Sequence, residues 1–279
     1  YYYNTAHDRK FAGFSKITKT DTVGNKIKTY YHQGDNTNSS QGEYSDHYSK
    51  IGKIYRVEAT DSSDNVYAKK ISKWENYSLS SGRDFVKLTQ IIDFVYDGDT
   101  DHKDKALTYT YDDANGNLTE QIDWGEVTGA DAGTYTDTGS DKYTTTVAYA
   151  SNTTYNILGL EKQEVVTDQS SSKVRESKYY YDAQLYGDVN VGNLTKEERW
   201  KVSSTYIDFE KIYNTTYGIV TQDKDPRDKT TDYTYDSYYL YPATVTNALS
   251  QATAYTYDYS IGKPKQVTLP NTRVFQTLH

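Results

Sequence analysis

The 279-residue sequence predicts an all-β fold of consecutive antiparallel hairpins joined in one long sheet, and three observations carry that expectation. A short text recurs as "YTYD" at Tyr109 to Asp112, "YYYD" at Tyr179 to Asp182 and "YTYD" at both Tyr233 to Asp236 and Tyr255 to Asp258, with a degenerate "FVYD" at Phe94 to Asp97. The apolar fraction is 35%, and with 32 tyrosines in the chain much of it carries a hydroxyl; tyrosine, threonine and valine favour strands. No amphipathic period of 3.6 persists over the ~11 residues that would mark a helix.

The elements follow in chain order. "ITKTDTVGNKIKTYY" from Ile17 and "VEATDSSDNVYAKKI" from Val57 have a strand, turn, strand rhythm without the tyrosine signature. From Tyr109 each unit reads as a strand, a polar turn, a strand ending in Tyr-x-Tyr-Asp, and a second turn that usually holds glycine. "VVTDQSSSKVRESKYYYD" from Val165, "VTQDKDPRDKTTDYTYD" from Val220 and "VTNALSQATAYTYD" from Val245 are three examples. In the last, Asn247 to Gln251 form the turn and Ala252 to Tyr257 the returning strand. The second turns are "DDANGN" with Gly116, "DAQLYGDVNVGN" with Gly192 and "DYSIGK" with Gly262, whereas the turn after Asp236 has no glycine and Pro242 takes over the punctuation. Asn-Gly and Asp-rich tetrads tolerate the positive φ that such turns demand. The signature aspartates stand 70, 54 and 22 residues apart, which suggests degenerate units and loop insertions, "GEVTGADAGTYTDTGSDK" at Gly125 to Lys142 among them.

Residues i and i+2 of a strand share a face. Each tyrosine pair therefore points one way, and the expectation is a ladder of rings across neighbouring strands: Tyr109 and Tyr111, Tyr179 and Tyr181, Tyr233 and Tyr235, Tyr255 and Tyr257. Asp112, Asp182, Asp236 and Asp258 follow as strand-end anchors whose carboxylates accept turn N–H groups.

Composition narrows the function. Thirty-one basic against 39 acidic residues give a net charge of −8, which argues against a nucleic-acid partner. There is no cysteine for disulfides, thiolate chemistry or metal ligation. No run approaches the ~20 apolar residues of a membrane-spanning helix. With no methionine, the chain reads as a piece of something longer.

Candidate chemistry is sparse, and the sequence calls for no catalytic residue, cofactor or metal. Among His7, His32, His47, His102 and His279 there is no H-x-x-x-H pair; ordinary surface or structural histidine is the expectation, and His32 in "YYHQGD" is the one to inspect. "DGDTDHKD" at Asp97 to Asp104 begins like a calcium loop and then departs from it, with His102 at the glycine place and Thr108 at that of the bidentate glutamate. Glu197 and Glu198 are adjacent in a strand and should face opposite ways, which separates them as a catalytic pair. Trp74, Trp124, Trp200 and exposed tyrosines admit stacking on sugar rings, an alternative to sheet cohesion.

The tyrosine pairs with a following Gly-Asn-Leu-Thr, at Gly116 to Thr119 and Gly192 to Thr195, resemble the YD repeats of the RHS-repeat family, which includes the B components of Tc toxin complexes. "RKFAGFSKITKTDTVGNKIKTYYHQGD", Arg9 to Asp35, is similar to the segment that leads into those repeats. The resemblance implies a sheet spiralled into a hollow shell, or cocoon, around a toxic or other cargo polypeptide. It implies residues 1–90 as an N-terminal β region, 91–279 as the repeat region, and a secreted or cell-surface bacterial protein with a virulence role. Its partners would be the remainder of the same polypeptide, an enclosed C-terminal cargo and other toxin-complex subunits. The self-cleaving aspartate motif of the family is not matched here, so its enzymatic part is not carried over. The rival reading is a cell-surface adhesion or carbohydrate-binding module with a glycan partner.

Overall fold

A computed structural model of the chain describes residues 13–34, 38–44, 46–79, 82–98 and 100–276. His7, His279, Asp99, Asp35 and residues 9–12 of the N-terminal segment lie outside the described residues. The fold is all-β, as expected: among the described residues nineteen strands join one antiparallel sheet, and sequence neighbours pair throughout most of it. Helical backbone among the described residues amounts to two single 3-10 turns, Ser39–Gln41 and Tyr48–Lys50. The chain divides into two compact units, residues 1–147 with 165–174, and 148–164 with 175–279.

The first unit opens with β1 (Lys16–Thr20), β2 (Lys26–Tyr31), β3 (Ile54–Thr60) and β4 (Val66–Ser78) and continues with β5 (Asp84–Tyr96), β6 (His102–Tyr111), β7 (Leu118–Gly129) and β8 (Tyr135–Asp137). Its core is one face of the central strands, where Ile71, Ile92, Phe94, Ala106 and Val127 are buried. Register puts them opposite one another, Ile71 against Ile92 and Ile92 against Ala106. Trp124 and Tyr135 pack on the cluster.

Two expectations are corrected here. Gly125 to Lys142 is not a loop insertion: β7 runs on to Gly129, turns at Ala130 to Thr134 and returns as β8, with Val127 opposite Asp137. Burial of Val127 and the packing of Tyr135 on Trp124 give the segment an apolar side to fold onto. The degenerate "FVYD" ends β5 in an unshifted register, Tyr96 opposite His102, and lacks the corner built at the other copies.

β9 (Tyr143–Asn152) follows, and the second unit runs through β10 (Ile157–Thr167), β11 (Lys173–Tyr181), β12 (Leu194–Val202) and β13 (Thr205–Tyr213). It continues with β14 (Val220–Lys224), β15 (Thr230–Tyr235), β16 (Pro242–Thr246), β17 (Ala252–Asp258), β18 (Lys263–Thr268) and β19 (Val274–Gln276). Its small core gathers Ala150, Tyr181 and Val189, with Tyr179 and Leu194 against them.

One kind of hairpin turn recurs in both units. It has five residues: the first N–H donates to the fifth carbonyl, and the fourth N–H donates back to the first carbonyl, as in Asp21 to Asn25, Asp61 to Asn65, Asp168 to Ser172, Asp225 to Lys229 and Asn247 to Gln251. Ala130 to Thr134 and Leu269 to Arg273 make the same backbone turn without a leading Asp or Asn, whereas in these copies that side chain reinforces it. Its Oδ1 accepts the N–H groups two and four residues on, 2.8 and 3.0 Å for Asp225, 3.0 and 3.0 Å for Asn247. The fourth residue is left-handed, whether Gly24 (φ 93°), Asp228 (58°) or Ser250 (59°).

Candidate functional site

The other ends of the hairpins are the Tyr-Asp corners. At each, the second tyrosine follows a one-residue bulge: Thr110 pairs with Glu120 but Tyr111 with Leu118, Tyr180 with Lys196 but Tyr181 with Leu194, and Thr234 with Thr244 but Tyr235 with Pro242. Tyr257 likewise pairs with Pro264 after a shift. The residue bypassed is Thr119 or Thr195 in the Gly-Asn-Leu-Thr copies, and its hydroxyl donates to the carbonyl of Thr110 or Tyr180, at 3.1 and 3.2 Å. A bulge leaves one backbone position out of the ladder, and the threonine hydroxyl reaches across that gap. Glycine is required one residue before the turn closes: Gly116, Gly192 and Gly262 have φ of 81°, 106° and 67°. Where glycine is absent, after Asp236, the left-handed residue is Tyr239 at 56°.

The aspartates hold these corners from inside. Asp182 takes the longest one: Oδ2 accepts the N–H groups of Asn190 and Val191, both at 2.8 Å, Oδ1 that of Asn193 at 2.9 Å, and Gly192 N–H is shared between the two oxygens. Burial pushes this carboxyl up, yet the four N–H groups outweigh it and hold it below the usual carboxylate range. Asp236 Oδ1 accepts from Tyr238 and Leu240 N–H, while Oδ2 accepts the Tyr259 hydroxyl of the next corner at 2.8 Å. Asp112 accepts Ala114 N–H, and Asp258 accepts Ser260 N–H, each at 2.9 Å.

The tyrosines meet differently from the expected ladder. β13, β15 and β17 each stand one strand apart from the next, about 9.6 Å at the usual sheet spacing, so stacked rings cannot join one pair to the next. Hydroxyls span the gap instead. Tyr235 donates to the Val220 carbonyl at 2.8 Å and Tyr257 to that of Pro242 at 3.0 Å. Each accepting residue is the register partner of the preceding corner tyrosine, so the bonds run from corner to corner. Tyr181 donates to Glu161 O at 2.6 Å. The first tyrosine of a pair turns to a carboxylate or a core: Tyr233 donates to Asp223 at 2.7 Å, Tyr179 packs beside Tyr181, and Tyr255 lies 6.4 Å from the Tyr257 ring. Tyr111 meets Phe85 edge-on, and Tyr109 is half-buried one position before the bulge.

Two corners escaped the sequence reading. "YNTTYGIVT" at Tyr213 to Thr221 has Tyr, Gly and Thr at the same offsets as "YDDANGNLT" at Tyr111 to Thr119. Tyr213 follows the bulge, its hydroxyl donates to Leu194 O at 3.0 Å, Asn214 replaces the aspartate, and Thr221 donates to Ile212 O. With Asn214 counted, the last three corners fall 22 residues apart. The second is at Tyr31, which pairs with Ile54 after a shift; His32 then stands in the aspartate place, its N–H donating to Lys53 O and its carbonyl accepting from Gly52. This turn has grown to hold residues 33–52, which hid it.

Inside that expanded turn, one ligand-type atom from each of His32, Glu43 and Asp46 lies within 4.8 Å of the others. Elsewhere the candidates separate. Glu197 pairs with Arg199 at 2.7 Å on one face, and Glu198 takes Lys196 and the Tyr180 hydroxyl on the other. Asp104 of the stretch that begins like a calcium loop belongs to β6, where it accepts Gly129 N–H and contacts His102. His47 Nδ1 lies 2.8 Å from the Ser49 hydroxyl. The tryptophan N–H groups serve the sheet: Trp74 donates to Ile54 O, Trp124 to Thr108 Oγ1 and Trp200 to Ser203 O.

No protein-family model and no curated protein match the chain. Among solved structures, the crystal structure of TcdB2-TccC3-TEV is similar over 98% of the chain, with a TM-score of 0.75 and 11% identity. TcdB2-TccC3 itself is similar over 95% at a TM-score of 0.58 and 12% identity. A Photorhabdus luminescens Tc holotoxin pore is similar over 94% at 0.54 and 10%. The chain spans about a fifth of the length of these matches, 20% of the first and 21% of the second. With its consecutive hairpins and bulged Tyr-Asp corners, the chain has the RHS/YD-repeat-like fold of these Tc toxin structures.

Proposed function

We propose that the chain is a wall segment of a secreted bacterial RHS-type shell, a non-enzymatic part that encloses a cargo polypeptide and keeps it from the producing cell until delivery. The likeness to TcdB2-TccC3-TEV along 98% of the chain carries this reading. The corners support it chemically, since their polar groups are used on backbone and on one another. Residues 1–90 lead into the repeats of 91–279, the Tyr31 corner being a first, expanded copy. The corner tyrosines and aspartates are structural.

The test is to isolate the full-length product from its native source, measure its intact mass and digest it with protease before and after denaturation. A mass several times 31.9 kDa and a segment cleaved only after denaturation are expected. A product near 31.9 kDa, or equal cleavage in both states, would overturn the proposal.

One observation favours a second, adhesive reading. Corner tyrosines stand out from the sheet edge: Tyr217 and Tyr239, both exposed, stack at 4.2 Å, and exposed Tyr238 meets Tyr259 edge-on. Binding on a glycan array that disappears in Tyr217→Ala and Tyr239→Ala would establish it; no binding would remove it.

A further inference from the structure

We propose that His32, Glu43 and Asp46 form a binding site for a divalent transition metal, Zn²⁺ being the probe of choice. The His32 ring is fully buried, and neither Nδ1 nor Nε2 has a hydrogen-bond partner. Nδ1 lies 3.1 Å from Asp46 Oδ1, close enough to pair with that carboxylate when the ring is protonated, whereas Nε2 has no partner among the described residues. Here a buried nitrogen is left without a bond beside two acidic side chains, which is the arrangement a cation resolves by accepting lone pairs from all three.

Both carboxylates are set in place by backbone. Asp46 Oδ2 accepts the N–H groups of Gly34 at 2.8 Å and Gln33 at 3.1 Å, and Oδ1 that of His47 at 2.7 Å. Glu43 Oε2 accepts Asn38 N–H at 2.8 Å. Such outer contacts orient ligands for a metal. Imidazole nitrogen and carboxylate oxygen are both ligand types that zinc takes, and water in a fourth position would complete a tetrahedron. Ligand atoms around such an ion stand about 3.3 Å apart, so a group already within 4.8 Å needs only a small closure. The nearby cation, buried Lys50, donates to Tyr44 O, and the two carboxylates outnumber it. Glu43 and the Asp46 side chain are as buried as His32, so the ion would enter while the turn folds. Bound, it would fasten the expanded turn to the end of β2 at the place other corners give to aspartate.

The experiment is to refold the full chain with and without Zn²⁺, dialyse, and measure metal content and thermal midpoint; Co²⁺ refolding adds a visible ligand-field spectrum. About one retained equivalent, a higher midpoint than the metal-free protein, and loss of both in His32→Ala and in Glu43→Gln are expected. Glu43→Gln is isosteric and keeps the oxygen that Asn38 N–H requires, so it decides the matter if His32→Ala does not fold. Wild-type protein that retains no zinc, or a Glu43→Gln variant that retains as much, overturns the proposal.

Discussion

Asp182→Asn is the most discriminating test of the corners, because the substitution preserves shape and changes only what the side chain offers. Four N–H groups converge on the two carboxylate oxygens, three on Oδ2 and two on Oδ1 with Gly192 shared. An asparagine presents one oxygen and one NH2, so Asn190 and Val191 N–H lose their acceptor in one orientation and Asn193 N–H loses its own in the other, while Gly192 N–H keeps one oxygen and faces a donor in both. Bonds to a charged acceptor contribute roughly 1.5–3 kcal/mol each, and unsatisfied donors cost about as much. Allowing for water reaching this half-buried loop, the expected loss is about 2–4 kcal/mol. The chain supplies its own control. Asp225 accepts two N–H groups in a five-residue turn, and Asn247 accepts the same two in the same turn elsewhere. Asp225→Asn keeps both turn bonds and gives up only the exposed pair with Arg227, so it should lower the unfolding midpoint far less than Asp182→Asn. The assay is urea unfolding of the full chain by tyrosine and tryptophan fluorescence, with protease cleavage within residues 183–192 as a local readout. Equal effects of the two substitutions would refute the reasoning, since the corner carboxylate would then be no more than a turn former.

Removing single hydroxyls with Tyr235→Phe or Tyr257→Phe should each cost about 1 kcal/mol, seen as a fall of roughly 2–4 °C in midpoint; no change would mean that the corner-to-corner bonds contribute nothing. Burial, and the Asp223 carboxylate next, push the Tyr233 hydroxyl up to about 12, and burial pushes Tyr181 to about 12 as well. Because these folded values lie above the ordinary value of about 10, the associated stability is complete below pH 10 and is lost as pH rises toward 12. Tyrosine ionisation followed by ultraviolet absorbance should come late and coincide with unfolding; ordinary ionisation near pH 10 without unfolding would contradict it. In the first unit, Ile92→Ala empties a fully buried site between Ile71 and Ala106 and should cost 2–5 kcal/mol by denaturant titration, whereas Val95→Ala, exposed on the same strand, should cost far less.

Much of the fold was legible because its signals are local. The turn at Asn247 to Gln251 and the strand from Ala252 were readable from residue types within a few positions, since an Asn side chain and a left-handed residue define such a turn without help from elsewhere. The corner aspartates were legible for the same reason. Tyr213 was not, because Lys211 stands in place of the first tyrosine and Asn214 in place of the aspartate; only the offset from Tyr through Gly to Thr marks it. The tyrosine hydroxyl partners were not, because they lie on the neighbouring strand and depend on a one-residue shift that the sequence does not mark.

By itself the sequence determined the strand rhythm and the alternation of two turn chemistries. Tertiary structure decided which groups meet. Cross-strand register joined Tyr235 to Val220 and Tyr257 to Pro242, β7 extended onto the first unit's core instead of looping out, and the expanded turn at His32 brought Glu43 and Asp46 to a buried imidazole. The physical reason is that turn and strand preferences act over a few residues, whereas register and burial are settled only when distant segments share one sheet.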